Sequence, residues 1–318
     1  MNNFLLRPAE PDRDFERLAA WFTWLEDSSN TESSLKKYYE KEKDRILHKV
    51  AENGENRIIG FYWIERDRIV PDRDLFFLYV DPGERRKGLG SSLYQDMMQA
   101  VETSQVSTLR VNVRDDCPEG MAFVQQHGFS ELSHLIAMSL DLSTFDDRPY
   151  DQVITRLKSE GLQFTSMEEL GNTEEFQRKL YALNSMTAME TLGSSGEPSW
   201  SSFEDFQQHV CQAGWYKPAG QMVVIDTATG NWAAMSAITR FDGVDYAYNL
   251  HTGVDKRYRG RKLGQAVKVH ALRFARDGLK ANSVRTHHNT KNPPILAIDR
   301  KLGYVQIPGY FSMEKRIS

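Results

Sequence analysis

Two short stretches gather residues suited to holding a phosphate. The first, Val80-Asp81-Pro82-Gly83-Glu84-Arg85-Arg86-Lys87-Gly88-Leu89-Gly90, sets three basic side chains beside two glycines. An apolar run from Leu75 leads into it, and an amphipathic run, Ser91 to Glu102, leads out. The pattern predicts a strand, a tight basic turn and a helix N-terminus. The first N–H groups of a helix lack internal partners and lie at the positive end of its dipole, so such a turn attracts anions. Glycine, lacking Cβ, lets the backbone come close to a phosphate. The second stretch is Val254-Asp255-Lys256-Arg257-Tyr258-Arg259-Gly260-Arg261-Lys262-Leu263-Gly264. Val80 and Val254 are 174 residues apart (254 − 80), as are Arg85 and Arg259, and Gly90 and Gly264. Downstream, Gly128-Phe129 and Gly303-Tyr304 recur at 175 (303 − 128). Two landmarks per half, in register to one residue, indicate an internal duplication.

Arg-x-x-Gly-x-Gly after a strand, followed by helix, strand, helix and a Gly-Phe ending, resembles the GNAT acyl-CoA-dependent N-acetyltransferases. The resemblance covers both halves, so the chain looks like a tandem GNAT protein. The second half is similar to the C-terminal domains of the mycothiol synthase group. It carries Thr252-Gly253-Val254, Tyr258-Arg259-Gly260-Arg261 and then Thr286-His287-His288-Asn289-Thr290-Lys291-Asn292-Pro293-Pro294. It departs from that group at Lys262, where the turn's first glycine would stand, and at His288, where the first asparagine would stand. The resemblance implies an α/β (α+β) fold of two tandem domains, each a mixed sheet with a splayed strand pair and flanking helices. The expected division is 1–146 and 147–318.

The implied chemistry is attack by an amine on the thioester of acetyl-CoA (CoA). An alkylammonium has a pKa near ~10, so a base is useful, together with an acid for the departing thiolate. A backbone N–H at the splayed strand can polarise the thioester oxygen. The resemblance assigns backbone contacts with pantetheine to Leu78 and Val80, and to Thr252 and Val254. It assigns the phosphates to Arg85, Arg86, Lys87, Gly88, Leu89 and Gly90, and to Arg259, Gly260, Arg261, Lys262, Leu263 and Gly264. Asn292 is either a further cofactor contact or a helix cap. The family's usual acid, a tyrosine before the Gly-Phe ending, is replaced by Val124 in one half and Asp299 in the other. Proton transfer then falls to His251, His288 and Tyr248. Each has a structural alternative: His251 at a core edge, His288 bonding a backbone group, Tyr248 packing beside Tyr246. Asp299 reads most simply as an acceptor within its own helix.

On this reading the second domain is catalytic and the first binds CoA weakly or structurally. The reverse assignment draws on the better glycine spacing of the first turn. A non-catalytic acyl-CoA-binding or regulatory protein is the alternative from another class, motivated by the tyrosine missing from both halves.

The elements that must position these residues recur in order. Phe4 to Arg7 reads as a strand, Pro11 onward as a helix bearing Leu18, Trp21, Phe22 and Leu25, and Leu35 to Arg45 as a charged helix. Lys49–Ala51 and Ile58–Arg66 form a hairpin across Asn53-Gly54. After the first turn come a strand from Thr108, a short helix to His127 and a closing strand, Leu135 to Leu142. Phe164 lies in the next first strand and Thr173 caps a helix to Leu183. Ser185–Trp200 reads as a Gly/Ser-rich loop, then Ser202–Cys211 as a helix. Strands follow at Met222–Asp226, Ala233–Arg240 and Tyr246–Val254, with Ser283–Thr286, a helix Pro294–Lys301 and a last strand Tyr310–Arg316 beyond the second turn. By this reading the second half gains roughly 16 residues in the Ser185–Trp200 loop, which suggests a more shaped acceptor pocket.

The 318 residues suffice for two domains, and the net charge of −4 gives no global pull toward nucleic acid. No apolar run reaches the length of a membrane span, and the N-terminus lacks a signal-peptide pattern. Two cysteines, Cys117 and Cys211, are too few for a disulfide framework, and no ligand spacing suggests a metal. The expectation is a cytoplasmic monomer or homodimer whose partner is a small-molecule amine.

Overall fold

The computed structural model describes residues 4–26, 29–104, 106–191 and 198–317. In chain order the first elements are β1 (Phe4–Pro8), α1 (Pro11–Glu26), α2 (Glu32–Glu42), β2 (Ile46–Asn53), β3 (Ile58–Arg66) and β4 (Arg73–Val80). Then follow α3 (Leu89–Ser104), β5 (Thr108–Arg114), α4 (Pro118–Gln126) and β6 (Ser130–Asp141). The second series is α5 (Asp151–Ser159), β7 (Leu162–Ser166), α6 (Glu174–Met189), α7 (Phe203–Phe206), β8 (Gln221–Asp226), β9 (Trp232–Thr239) and β10 (Tyr246–Val254). It ends with α8 (Leu263–Asp277), β11 (Ser283–Asn289), α9 (Pro293–Leu302) and β12 (Val305–Arg316).

The chain forms two compact units, Met1–His134 with Tyr310–Ser318, and Leu135–Gly309. This differs from a division at residue 146. The Leu135–Asp141 part of β6 pairs antiparallel with β11 in the second unit. The Tyr310–Arg316 part of β12 pairs antiparallel with β5 in the first. Each closing strand therefore completes the sheet of the unit that the other half of the chain builds. Their apolar faces match those partners: Ile136, Met138 and Leu140 enter the second unit's core, and Met313 the first's. Burial alone makes a strand apolar on one face, and does not say which sheet it will join.

Within the first unit, β1-β2-β3-β4 is an antiparallel meander, and β4 then runs parallel to β5. One face packs on α3 through Leu89, Leu93, Met97 and Val101. The other packs on α1 through Phe15, Leu18, Trp21 and Phe22. The second unit repeats the plan: β7-β8-β9-β10 antiparallel, β10 parallel to β11. There α8 covers one face and α6 the other.

Three local differences from the sequence expectation bear on the site. β11 runs to Asn289, so His287 and His288 stand on the strand rather than beyond it. α6 continues to Met189, consuming the start of the expected loop; residues 192–197 of that loop lie outside the described residues. α5, which has no counterpart among the elements expected from the sequence, buries Ile154 and Leu157 against the α8 face. Among the described residues no helix is long and apolar enough to cross a membrane.

Candidate functional site

The two basic turns share one backbone. In each, an aspartate at the strand end accepts from the N–H two residues on, Asp81 from Gly83 at 3.2 Å and Asp255 from Arg257 at 2.9 Å. A single 3-10 turn follows, Pro82–Glu84 or Lys256–Tyr258. The next arginine folds back onto the strand: Arg85 Nε donates to the Val80 carbonyl at 3.2 Å, and Arg259 Nε to Val254 at 3.0 Å. Two left-handed residues then aim the chain into the helix. They are Arg86 (φ 61°) and Gly88 (φ 85°) in the first turn, Gly260 (φ 80°) and Lys262 (φ 65°) in the second. Each turn thus holds one glycine and one strained residue, in opposite order. Lys262 is no defect in the turn: it takes the conformation a glycine would, at a cost of roughly 1 kcal/mol, as Arg86 does in the first. Leu89 and Leu263 are buried in the cores, so any contact they make with a phosphate is through backbone N–H.

In the first unit β4 and β5 pair over only three rows, Arg73 with Thr108 to Leu75 with Arg110. Beyond them the strands part, and a cavity of about 900 Å³ opens. Leu78, Val80, Arg85, Arg86, Gly88 and Gly90 line it on the turn side, and Val111, Val113 and Val124 on the other. Apolar walls with a few charged groups at one end suit an extended phosphorylated ligand such as CoA. Lys87 is outside this lining and pairs with Glu84 at 3.1 Å on the surface. Tyr79 is held above its ordinary pKa by burial, which keeps its phenol protonated. Among the described residues no histidine lines the cavity, while Cys117 and Glu119 do.

In the second unit β10 and β11 likewise pair over three rows, Tyr246 with Ser283 to Tyr248 with Arg285. β10 then carries a bulge between Asn249 and His251 that β4 lacks. The extra residue turns Asn249 and Thr252 to the same face, where they bond at 3.1 Å. Asn249 Nδ2 also donates to Ser236 Oγ at 3.1 Å and the Ala237 carbonyl at 2.9 Å. Thr252 is therefore part of a side-chain network as well as a candidate backbone contact.

His251 faces α6. Its Nε2 lies 2.8 Å from Thr187 Oγ1, and that hydroxyl donates to the Leu183 carbonyl at 2.8 Å. The Thr187 hydrogen being used, His251 must donate from Nε2, which leaves the Nδ1 lone pair for a ligand. Burial first, and His288 second, push its pKa down to about 4, so it is neutral near pH 7. Gly253 makes this approach possible: a Cβ there would stand 2.2 Å from Thr187 Oγ1 and 2.8 Å from His251 Nε2.

His288 stands on the α8 side of β11. Its Nε2 is 2.7 Å from Asp299 Oδ2, and Asp299 Oδ1 pairs with Lys268 Nζ. Lys268 and Asp299 have side-chain exposures of 0%/0%. Burial works against the Asp299 carboxylate, but Lys268 and His288 outweigh it and hold the group ionised. Burial is the first cause lowering the His288 pKa, and Lys268 adds to it against the pull of Asp299.

The remaining candidates are placed as follows. Tyr248 Oη bonds His287 Nδ1 at 2.5 Å, so its phenol already has a partner. Asn292 occupies the N-cap position of α9, but its side chain makes no capping bond there. Arg259 pairs with Glu190 at 2.6 Å, and Arg261 with Glu160, so both guanidinium groups meet carboxylates. Lys262 is exposed, and Gly264 packs tightly, a Cβ there lying 3.2 Å from Val254. Sequence reasoning missed Thr187 and Lys268 and assigned Asp299 to its own helix. A lysine inside the apolar run Ala266-Val267-Lys268-Val269 was the one signal available.

Residues 14–129 match the model of the acetyltransferase (GNAT) family. A GCN5-related N-acetyltransferase from Sphaerobacter thermophilus is similar in structure over 99% of this chain and 96% of that one, at 15% identity and a TM-score of 0.71. A tandem GNAT protein from the clavulanic acid biosynthesis pathway is similar over 98% of each chain, at 17% identity and a TM-score of 0.72. A glucosamine N-acetyltransferase region of a fungal multi-domain β-N-acetylglucosaminidase is similar over 98% of this chain and 38% of that one, at 16% identity and a TM-score of 0.75. No curated protein is significantly similar in sequence. The fold is that of a tandem GNAT protein.

Proposed function

We propose that this chain is an acetyl-CoA-dependent N-acetyltransferase acting on a small-molecule primary amine, with its chemistry in the second unit. The observation that carries the reading is the pair of neutral histidines, His251 and His288, at the parting of β10 and β11. Allowing for the one-residue bulge, the corresponding positions in the first unit are Phe77 and Val113. Acetyl-CoA, when bound, supplies an acyl carbon activated as a thioester.

The residues that would hold it in the second unit are the backbone of Thr252 and Val254 and the N–H groups opening α8 at Leu263 and Gly264. Lys262 adds its charge, and Asn292 its uncapped amide. His251 Nδ1 accepts a proton from the incoming ammonium group and passes it to solvent; His288 serves the second proton. Tyr248, bonded to His287, orients the β11 side of the site. In the first unit Leu78, Val80, Arg85, Arg86, Gly88 and Gly90 would form a CoA cleft whose titratable lining is Tyr79, Cys117 and Glu119, with no histidine among the described residues.

The test is acetyl-CoA with a panel of amines, followed by free-thiol detection. Amino sugars belong in the panel because the similar fungal region is a glucosamine N-acetyltransferase. The reading fails if no amine releases thiol. The first unit's apolar cleft favours the second reading, an acyl-CoA-binding or regulatory protein. Stoichiometric acetyl-CoA binding with no turnover on any amine would support that one.

A further inference from the structure

Lys268 and Asp299 have no part in the mechanism above, yet they form a buried ion pair in the middle of the second unit. Such a pair does little for stability relative to apolar residues of similar size, so its presence asks for another reason. The geometry supplies one. Lys268 Nζ, from α8, bonds one carboxylate oxygen of Asp299, from α9, and lies 4.8 Å from the centre of the Tyr304 ring. The other oxygen accepts from His288 Nε2 at 2.7 Å. Thr286 Oγ1, 3.4 Å from the same nitrogen, donates to the Asn249 carbonyl at 3.0 Å and so ties β11 to β10. His288 Nδ1 bonds no described residue.

We propose that Lys268 and Asp299 are positioning residues that hold His288 with its Nε2 proton on Asp299 and its Nδ1 lone pair open to the parting of β10 and β11. There Nδ1 carries one proton from the acceptor nitrogen to the departing sulfur. This rests on the reading of the second unit as catalytic. The protons balance: an ammonium acceptor loses two on becoming an amide. One leaves to solvent through His251. The other moves from nitrogen to Nδ1 and then to sulfur as the C–N bond forms and the C–S bond breaks, its electron pair staying on sulfur. An ionised Asp299 stabilises the transient imidazolium, and Lys268 keeps the resting imidazole neutral. The charged and titratable groups around His288 are Asp299 from α9, Lys268 from α8, His251 from β10 and, beyond Lys268, Tyr304.

The experiment combines imidazole nitrogen NMR on the full chain with the pH dependence of kcat/KM. The His288 signal is assigned by its loss in His288→Asn. The expected spectrum is a neutral ring protonated at Nε2. Lys268→Met removes the opposing charge, so the His288 pKa should rise by about one unit. The acidic limb of kcat/KM should move up by the same amount, since the neutral ring is the active form. Should Lys268→Met not fold, Lys268→Met/Asp299→Asn removes both charges together. In that variant the Nε2–H preference should weaken and kcat should fall about tenfold or more, with KM little changed.

Turnover with an unmoved limb and an unmoved His288 pKa in Lys268→Met overturns the positioning role and leaves the catalytic reading intact. So does an unchanged tautomer and kcat in the double variant. No turnover from the wild type, with the NMR shift present, overturns the catalytic reading and leaves the positioning of His288 standing.

Discussion

The two units share a backbone plan and differ in what fills the space under the turn. At several matched positions beneath the turn the second unit is polar where the first is apolar or aromatic. Lys268 falls on Tyr94 (268 − 94 = 174), and Asp299 on Val124 (299 − 124 = 175). His288 falls on Val113 and Thr286 on Val111, both at 175. On the bulged strand Asn249 takes the place of Phe76, Thr252 of Leu78 and Gly253 of Tyr79. In the first unit Phe76, Val111, Val113 and Val124 belong to one hydrophobic core and also line the cavity. There Tyr79 packs edge-on to Trp24 and 4.9 Å from Trp21, where the second unit leaves Gly253 bare for Thr187. A duplicated fold can thus keep its basic turn twice while setting histidines, a lysine and an aspartate beneath one copy and mainly apolar side chains beneath the other. An apolar cleft can bind; proton transfer needs groups that change charge.

The contrast breaks most visibly at Lys268. Lys268→Ala leaves Asp299 buried without its cation and should cost about 3–5 kcal/mol in urea unfolding. Tyr94→Phe, at the same place in the first unit, removes a bond to Lys315 at 3.2 Å and should cost about 1 kcal/mol. Equal costs would mean that the buried pair is not special to the second unit. His288→Asn should lower kcat about 100-fold or more, while calorimetry still finds acetyl-CoA bound at the first unit. An unchanged kcat would end the assignment of chemistry to the second unit.

The turns allow a finer comparison. Arg85→Ala should weaken acetyl-CoA binding by about tenfold, the effect of one charge-assisted bond. Arg259→Ala should weaken it less, because Glu190 already competes for that guanidinium. A larger loss for Arg259 in a binding titration would reverse the ranking of the two cradles.

Acid should act unevenly as well. His251 and His270 have pKa values lowered to about 4, burial being the first cause in each. Unfolded, they titrate near ~6.5. Between those values the unfolded chain binds protons that the folded chain does not. The stability they contribute is therefore complete above about pH 6.5 and declines as pH falls toward 4. Tm measured across that interval should drop, and His270→Phe should flatten part of the slope. The smallest effect is expected at the swapped glycines. Lys262→Gly relieves a left-handed lysine and should change stability by well under 1 kcal/mol, whereas Gly88→Ala imposes the strain anew and should cost about 1 kcal/mol. Thermal unfolding of both variants checks that each turn uses the same two positions.

Much of this was legible in residue spacing. The constant offset identified the duplication, and the turns, their helices and most strands lie where periodicity and turn residues place them. Those are local properties: helix dipoles, glycine conformations and alternating burial act over a few residues. His251 and His288 were also visible as candidates, because their residue type and distance from the turn are sequence facts. What the sequence left open depends on which segments meet. The apolar pattern of β6 and β12 makes them strands without naming their sheets. Lys268 and Asp299 are 31 residues apart and pair only because α8 and α9 pack on one face of the sheet. Thr187 and His251 are 64 residues apart and meet only because Gly253 leaves the room. Pattern and turn chemistry, short-range by nature, determined the two copies of the fold. Tertiary packing decided which groups lie beneath each turn, because burial and long-range pairing set the partners and protonation of the second unit's histidines.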